Sequence, residues 1–495
     1  MFPPYIKRFI QYLNSTVILS AVFALSVGLL VPGCADAPSD AREPGDETDQ
    51  SGDTLTPDGN EQPGDDGELG DPAPPEQISA VSFPIDDAPV DSTWQWVADV
   101  PGARCGRPLA AGIENKTGFG LSFNASSDTL VIYFQGGGAC WDEESCARDV
   151  ELPFDGIGAV NLAGYGEEEF KRDILAPLDF PFTPAVLFNN SLVASLLTLL
   201  PNNTIASPES TVNAFADAQL VFFPYCTGDV FAGRQDAVAD SGVYHAGAKN
   251  VDAYVAQLVH YYSATAAVQP KDIFLIGASA GGYGAIVNAP TFIEAFPAAD
   301  IHVVSDSGVI LNRNADNVEG IELEVTVKEA WSFDTPSDCA ACDDSLFEVL
   351  PYYLERYAAR LNYTLMSYAS DPVISFFFQY DYSCDRPETI DLLSAYGNFY
   401  HVSSVQTGHT MLDFQYLPLV EQINEYIEGL GQASPLAAIV RANLGDFDQL
   451  ASGELPPDFE VPFPNGNGVI HNWLMDYRQG VRSNIGADTL NACTP

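Results

Sequence analysis

DIFLIGASAGGYGA, residues 272–285, changes character halfway along. Its first five residues form a β-branched and aromatic run with the composition of a buried strand. Gly277-Ala278-Ser279-Ala280-Gly281 then fits G-x-S-x-G, the nucleophile elbow, and residues 282–287 can start a helix packed closely on the sheet. The glycines are needed because Ser279 must sit in a strained backbone while its neighbours pass close to strand and helix. That arrangement lifts the Ser279 hydroxyl above the sheet and leaves the Ala280 N–H at a helix N-terminus. A bare five-residue pattern is weak evidence, so the strand before it and the helix after it are what make Ser279 a candidate nucleophile.

Outward from the elbow the chain alternates strands and helices. Strands are expected at 129–134, 218–225, 301–306, 373–382 (VISFFFQYDY) and 398–405, with alternating Trp94 and Trp96 suggesting another near the start. Residues 251–262 have helical spacing, and 416–430 read as a closing helix. Two long insertions interrupt the series. Residues 150–210 are loop-rich with a Leu-rich patch at 191–200, and 311–370 contain helical stretches; the first could form a cap or one wall of a cleft. The alternation implies an α/β fold with a mostly parallel central sheet covered by helices on both faces. No internal repeat is visible, and residues 432–495 have no assigned place.

An activated serine needs a base within hydrogen-bond reach, an acid to orient that base, and N–H donors aimed at the developing oxyanion. Four histidines follow Ser279, three of them before the unplaced stretch from residue 432. His302 and His401 lie inside expected strands, where a core histidine is the better reading, whereas His409 follows a strand in a loop beside Gly408. His409 is therefore the expected base. Asp385 follows the 373–382 strand and is the expected acid, with Asp381 and Asp306 as alternatives, although a solvated or turn-forming aspartate is the commoner case. Gly136-Gly137-Gly138 follows the 129–134 strand. Backbone N–H groups there, with that of Ala280, would make the oxyanion hole.

The charge is −48 at neutral pH, which argues against a nucleic-acid partner. Much of that charge is local. Residues 35–80 carry 14 acidic residues against the single Arg42 and read as a disordered tether. Before it, Lys7 and Arg8 precede an apolar run ending at Pro32-Gly33-Cys34, the pattern of a secretory signal. Residues 30–34 resemble a bacterial lipobox in which Cys34 would be lipidated; a plainly cleaved signal or an uncleaved anchor are the other readings. The expected organisation is thus a leader at 1–34, a tether at 35–80 and a catalytic domain at 81–495, exported or held at a membrane by its lipid. Eight cysteines remain after Cys34, an even number that suggests disulfides. Cys140 and Cys146 could form a local bridge, and a structural bridge is the better reading of Cys339-Ala-Ala-Cys342. Scattered histidines make zinc an unlikely expectation, and the serine chemistry requires no metal or cofactor.

Four ordered motifs carry a family likeness: VIYFQGGGACWDEESC, PYCTGDVFAG, IGASAGGYGA and TGHT. Together they resemble the pectin acetylesterase family, which also contains the animal Wnt deacylase Notum, over roughly residues 94–430. The resemblance implies an α/β-hydrolase fold, Ser279 as nucleophile, His409 as base, and Gly137, Gly138 and Ala280 as the oxyanion hole. It matches Gln379-Tyr380 with Asp385 as the acid, but Arg386-Pro387 right after departs from the family's pattern and leaves Asp381 open. The CTGD segment, residues 226–229, has no role beyond a loop at the sheet edge. Expected from this is an ester hydrolase removing acetyl groups from a polysaccharide, acting as a monomer. The alternatives are a deacylase or general esterase for lipidated or small esters, and a non-catalytic surface protein binding glycans or partners on the same scaffold.

Overall fold

A computed structural model describes residues 93–110, 113–147, 157–175, 204–206, 213–235, 237–407, 409–412 and 469–486. The leader with Cys34, the acidic tether, the Leu-rich patch at 191–200 and the helix expected at 416–430 lie outside the described residues.

Eight strands form one sheet: β1 (Gln95–Val97), β2 (Phe119–Ser122), β3 (Thr129–Phe134), β4 (Gln219–Phe223), β5 (Asp272–Ala278), β6 (Asp300–Asp306), β7 (Leu361–Ser370) and β8 (Phe399–Thr407). Their spatial order is β1-β2-β4-β3-β5-β6-β7-β8. The six strands from β4 to β8 run parallel, and β1 and β2 add two antiparallel pairings at one edge. With the strand–elbow–helix turn after β5, this is the α/β-hydrolase fold.

Strand periodicity explains why the sheet is covered on both faces. In β5, Ile273 and Leu275 point into one core while Phe274 and Ile276 point into another, and all four are buried. The first face is packed by α1 (Gly247–Ala264), through Val251, Tyr254 and Leu258, and by α2 (Ala280–Val287), through Ala285 and Ile286. Ile470, Trp473, Leu474 and Tyr477 of a helix at Val469–Arg478 pack on the second face.

The structure departs from the sequence expectation in one region that matters for the site. Residues 373–382 are not a strand. Asp371 caps a short helix, α3 (Pro372–Phe378), its Oδ1 accepting from the N–H groups of Val373 and Ile374 at 2.9 and 3.0 Å. Pro372 stands in the first helical turn, where its missing N–H costs nothing. Gln379 ends that helix in the left-handed region, and α4 (Tyr382–Leu393) follows. The strand expected at 373–382 is supplied instead by β7, at the end of the segment expected to be an insertion. Its polar Asn362, Thr364 and Ser367 mask a run that pairs with β6 on one side and β8 on the other.

Candidate active site

Ser279 stands between β5 and α2 at φ 53°, ψ −122°, a conformation costing about 1–3 kcal/mol for a residue with a side chain. The surrounding packing holds it there. A Cβ on Gly277 would strike the Gly281 carbonyl, so strand and helix approach as closely as the elbow requires. The Ser279 N–H donates to the Asp306 carbonyl at 2.8 Å, tying the elbow to the end of the neighbouring strand β6.

Asp306 reaches in a second direction. Its fully buried Oδ2 accepts the N–H groups of Met411 and Leu412, both at 2.6 Å. One residue therefore holds the nucleophile's backbone and the segment that carries His409. That is the part Asp306 plays; it does not bond the His409 ring as an acid would.

His409 is buried, and its Nδ1 lies 2.9 Å from Asp371 Oδ2. Its Nε2, the nitrogen a base would use, is buried with no hydrogen-bond partner among the described residues. Asp371 is wholly buried, and its two oxygens divide their work: Oδ1 caps α3 and Oδ2 holds the histidine. The residues Asp371 caps are part of the site. Val373, Ile374, Phe377 and Phe378 of α3 line a cavity together with Ser279, Ala280, Tyr283, Gly138, Ala139 and Val230.

The acid expected from sequence is corrected here. Asp385 lies within α4, where its Oδ1 accepts the Asn314 N–H at 3.1 Å. Burial raises its carboxyl above the ordinary value. Asp381 is exposed and accepts from the Ser383 hydroxyl. Neither bonds His409. The signal missed was Asp371-Pro372, a helix cap at the end of a strand, hidden because the aromatic run behind it was read as strand. His302 and His401 are held by other partners: buried His302 bonds Asp272, Asn362 and Arg482, and half-buried His401 bonds Ser403.

Of the expected oxyanion donors, Gly138 and Ala280 line the cavity beside Ser279. The Gly137 carbonyl accepts the Val160 N–H at 3.0 Å. Gly138 has φ +74°, and a Cβ there would collide with the Gly158 carbonyl, so only glycine fits. Behind this loop Cys140 and Cys146 are disulfide-bonded, and the Cys140 carbonyl accepts from the Trp331 indole at 2.8 Å. Cys105–Cys226 and Cys339–Cys342 are also bridged, and Cys384 is disulfide-bonded as well. Cys140, Cys146 and His245 lie within 4.8 Å of one another, but as a disulfide the two sulfurs offer no thiolate to a metal.

A serine on a strained elbow, with a buried histidine–carboxylate pair tied to the next strand, is the arrangement of a serine hydrolase. Residues 198–340 match the model of the pectinacetylesterase family. The matched segment holds Ser279 and residues 224–233, whereas the glycine loop, Asp371 and His409 fall outside it. Over 101 residues the chain is 32% identical to palmitoleoyl-protein carboxylesterase notum1' of Xenopus laevis, covering 19% of this chain and 20% of that protein. The chain thus spans about a fifth of the length of that curated relative. A solved structure of the Wnt deacylase Notum from Drosophila is similar with a TM-score of 0.41 and 17% identity, covering 65% of this chain and 87% of that one.

Proposed function

We propose that the protein is a serine carboxylic-ester hydrolase that removes short acyl groups, acetyl foremost, from an O-acylated polysaccharide. The observation that carries this reading is the buried Asp371–His409 pair, joined through Asp306 to the Ser279 elbow. The family match and the esterase relative favour ester hydrolysis within the wider serine-hydrolase class.

In the proposed mechanism, Asp371 accepts a hydrogen bond from the Nδ1–H of His409, keeping the proton on Nδ1 and leaving Nε2 with its lone pair. Ser279 Oγ attacks the ester carbonyl carbon as His409 Nε2 takes the hydroxyl proton. The Gly138 and Ala280 N–H groups stabilise the resulting oxyanion. The carbon–oxygen bond to the sugar then breaks, and His409 returns the proton to the leaving oxygen. Water, deprotonated by the same nitrogen, attacks the acyl-enzyme, releasing the acid and restoring Ser279.

The cavity favours a small acyl group. Its free volume is about 10 Å³, room for about one water molecule, and its wall is almost entirely apolar. The second reading, a deacylase for longer chains, is supported by the Xenopus relative's name as a palmitoleoyl-protein carboxylesterase and by that apolar wall. The disulfides fit an oxidising compartment, and we infer an exported protein held at a membrane through Cys34 and its acidic tether.

A chain-length series of nitrophenyl esters tests these readings alongside acetate release from acetylated pectin. Serine-dependent turnover that falls from acetyl to octanoyl is expected, with Ser279→Ala lower by about three orders of magnitude or more. A folded wild type that releases no acyl product would leave only a binding scaffold.

A further inference from the structure

The segment at residues 225–231 (Tyr-Cys-Thr-Gly-Asp-Val-Phe) takes no part in the mechanism above, yet it lies directly behind the site. Tyr225 is wholly buried under the glycine loop, and a Cβ on Gly137 would come within 3.0 Å of its ring. Its hydroxyl makes two hydrogen bonds. It donates to the Gly138 carbonyl at 3.0 Å and accepts the Val230 N–H at 2.8 Å. Gly138 and Val230 both line the cavity that contains Ser279.

The loop beyond Tyr225 is held at some cost. Val230 and Phe231 are consecutive non-glycine residues in the left-handed region, at φ 49° and 61°. Asp229, buried completely, keeps them there. Its Oδ1 accepts the Phe231 N–H at 3.2 Å and the Thr227 hydroxyl at 2.6 Å, while its Oδ2 accepts the N–H of Gly247 at the start of α1. The result presents the Val230 N–H to Tyr225 and packs the Phe231 ring against Gly284 of the elbow helix. A strained pair of residues beside a cavity, fastened by a buried carboxylate, is more than a sheet-edge turn needs.

The consequence for Gly138 follows from peptide planarity. In a trans peptide the N–H points opposite to the carbonyl. The peptide before Gly138 is held by its oxygen, which accepts the Val160 N–H, and the peptide after it is held by the Tyr225 hydroxyl. The first plane carries the Gly138 N–H, and the second, held by Tyr225, fixes with it the backbone turn at Gly138, where φ is +74°. Without the hydroxyl the Gly138 carbonyl loses this donor, leaving the short antiparallel pairing of Gly138–Ala139 with Gly158–Ala159 to hold that peptide, and an oxygen that turns toward the cavity would repel a negative charge there. Burial also holds the Tyr225 phenol far above its usual range, so it remains a donor.

We propose that Tyr225, set by the Asp229-braced loop, is a positioning residue that holds the glycine loop in its oxyanion-binding orientation. This rests on Ser279 acting as nucleophile on an ester.

The test is Tyr225→Phe, which keeps the ring and its contact with Phe231 and removes only the hydroxyl. Sites are counted by fluorophosphonate titration of Ser279, so a partly folded preparation still gives kcat per active serine. The expected result is kcat down about 10- to 100-fold per titrated site, with KM within about threefold, since a loosened oxyanion donor weakens the transition state more than the ground state. The preference for an oxygen ester over its thionoester should shrink in parallel, because sulfur is a poor acceptor for those N–H groups. A merely structural role would lower the titratable fraction and the melting temperature but leave kcat per site and the thionoester ratio unchanged, and that outcome overturns the proposal. Wild-type protein that neither reacts with the fluorophosphonate nor turns over an ester would instead remove the hydrolase reading, and this inference with it.

Discussion

Replacing Asp371 by asparagine, with Asp385→Asn as its control, separates the carboxylate bonded to His409 from the one the sequence favours. Asparagine caps helices about as well as aspartate, so α3 and the cavity wall built on it should survive the substitution. The histidine should not fare as well. Asp371 Oδ2 now accepts the His409 Nδ1–H. If the cap keeps the asparagine oxygen, the amide NH2 faces His409 and donates to Nδ1. The imidazole proton then moves to Nε2, the nitrogen that must accept the Ser279 proton. The same exchange in a serine triad costs about 10⁴ in kcat, which is about 5 kcal/mol of transition-state stabilisation at 1.36 kcal/mol per decade. Asp371→Ala should lose the same catalysis and also the cap, worth about 0.5–2 kcal/mol. Asp385→Asn should keep kcat within about twofold, because among the described residues Asp385 holds the Asn314 N–H and its own helix and does not bond His409. The assay is nitrophenyl acetate turnover from pH 5 to 9, with thermal melts of each variant. The reasoning fails if Asp371→Asn keeps a tenth of the wild-type rate, or if folded Asp385→Asn loses as much as Asp371→Asn.

Four further outcomes are expected. Burial raises the Asp385 carboxyl above its ordinary 3.8, so the native state holds that proton more tightly than the unfolded chain. The stability from this group is complete below that value and is lost as pH rises through the raised one; Asp385→Asn should flatten this slope in melting temperature measured across acidic pH. Asp306→Ala leaves the Met411 and Leu412 N–H groups buried without their acceptor, so the His409 segment should loosen; kcat should fall at least about tenfold, and denaturant melts should show about 1–3 kcal/mol lost per orphaned donor. Phe377→Ala enlarges the cavity; it should shift the optimum toward butyryl and longer nitrophenyl esters at a stability cost of about 3–5 kcal/mol. Removing the Cys105–Cys226 bridge as a double serine variant frees a loop of sequence separation 121; chain entropy puts the loss near 4–5 kcal/mol, read from denaturant melts.

The sequence by itself determined the elements whose signals are local. The run of residues 272–276 and the glycines around Ser279 define a strand, a strained turn and a helix within fourteen residues, because sterics at adjacent positions permit little else. The Cys140–Cys146 bridge was legible for the same reason, since six residues of separation place the two sulfurs within reach. Residues 373–378 show where local reading failed. Aromatic and β-branched composition suggested a strand, yet the buried residues Val373, Ile374, Phe377 and Phe378, with Phe376 left exposed, follow a helical spacing that Asp371-Pro372 announces. Only the tertiary structure decided which carboxylate serves His409. The pair spans 38 positions and forms because β7 and β8 lie side by side in parallel, bringing both strand ends to the same edge of the sheet. Asp306 shows the same dependence on non-local contact: its carboxylate meets Met411 across 105 positions. A side chain's partners across the ends of parallel strands are set by the order in which those strands assemble, and that order is a property of the packed sheet rather than of the stretch around either residue.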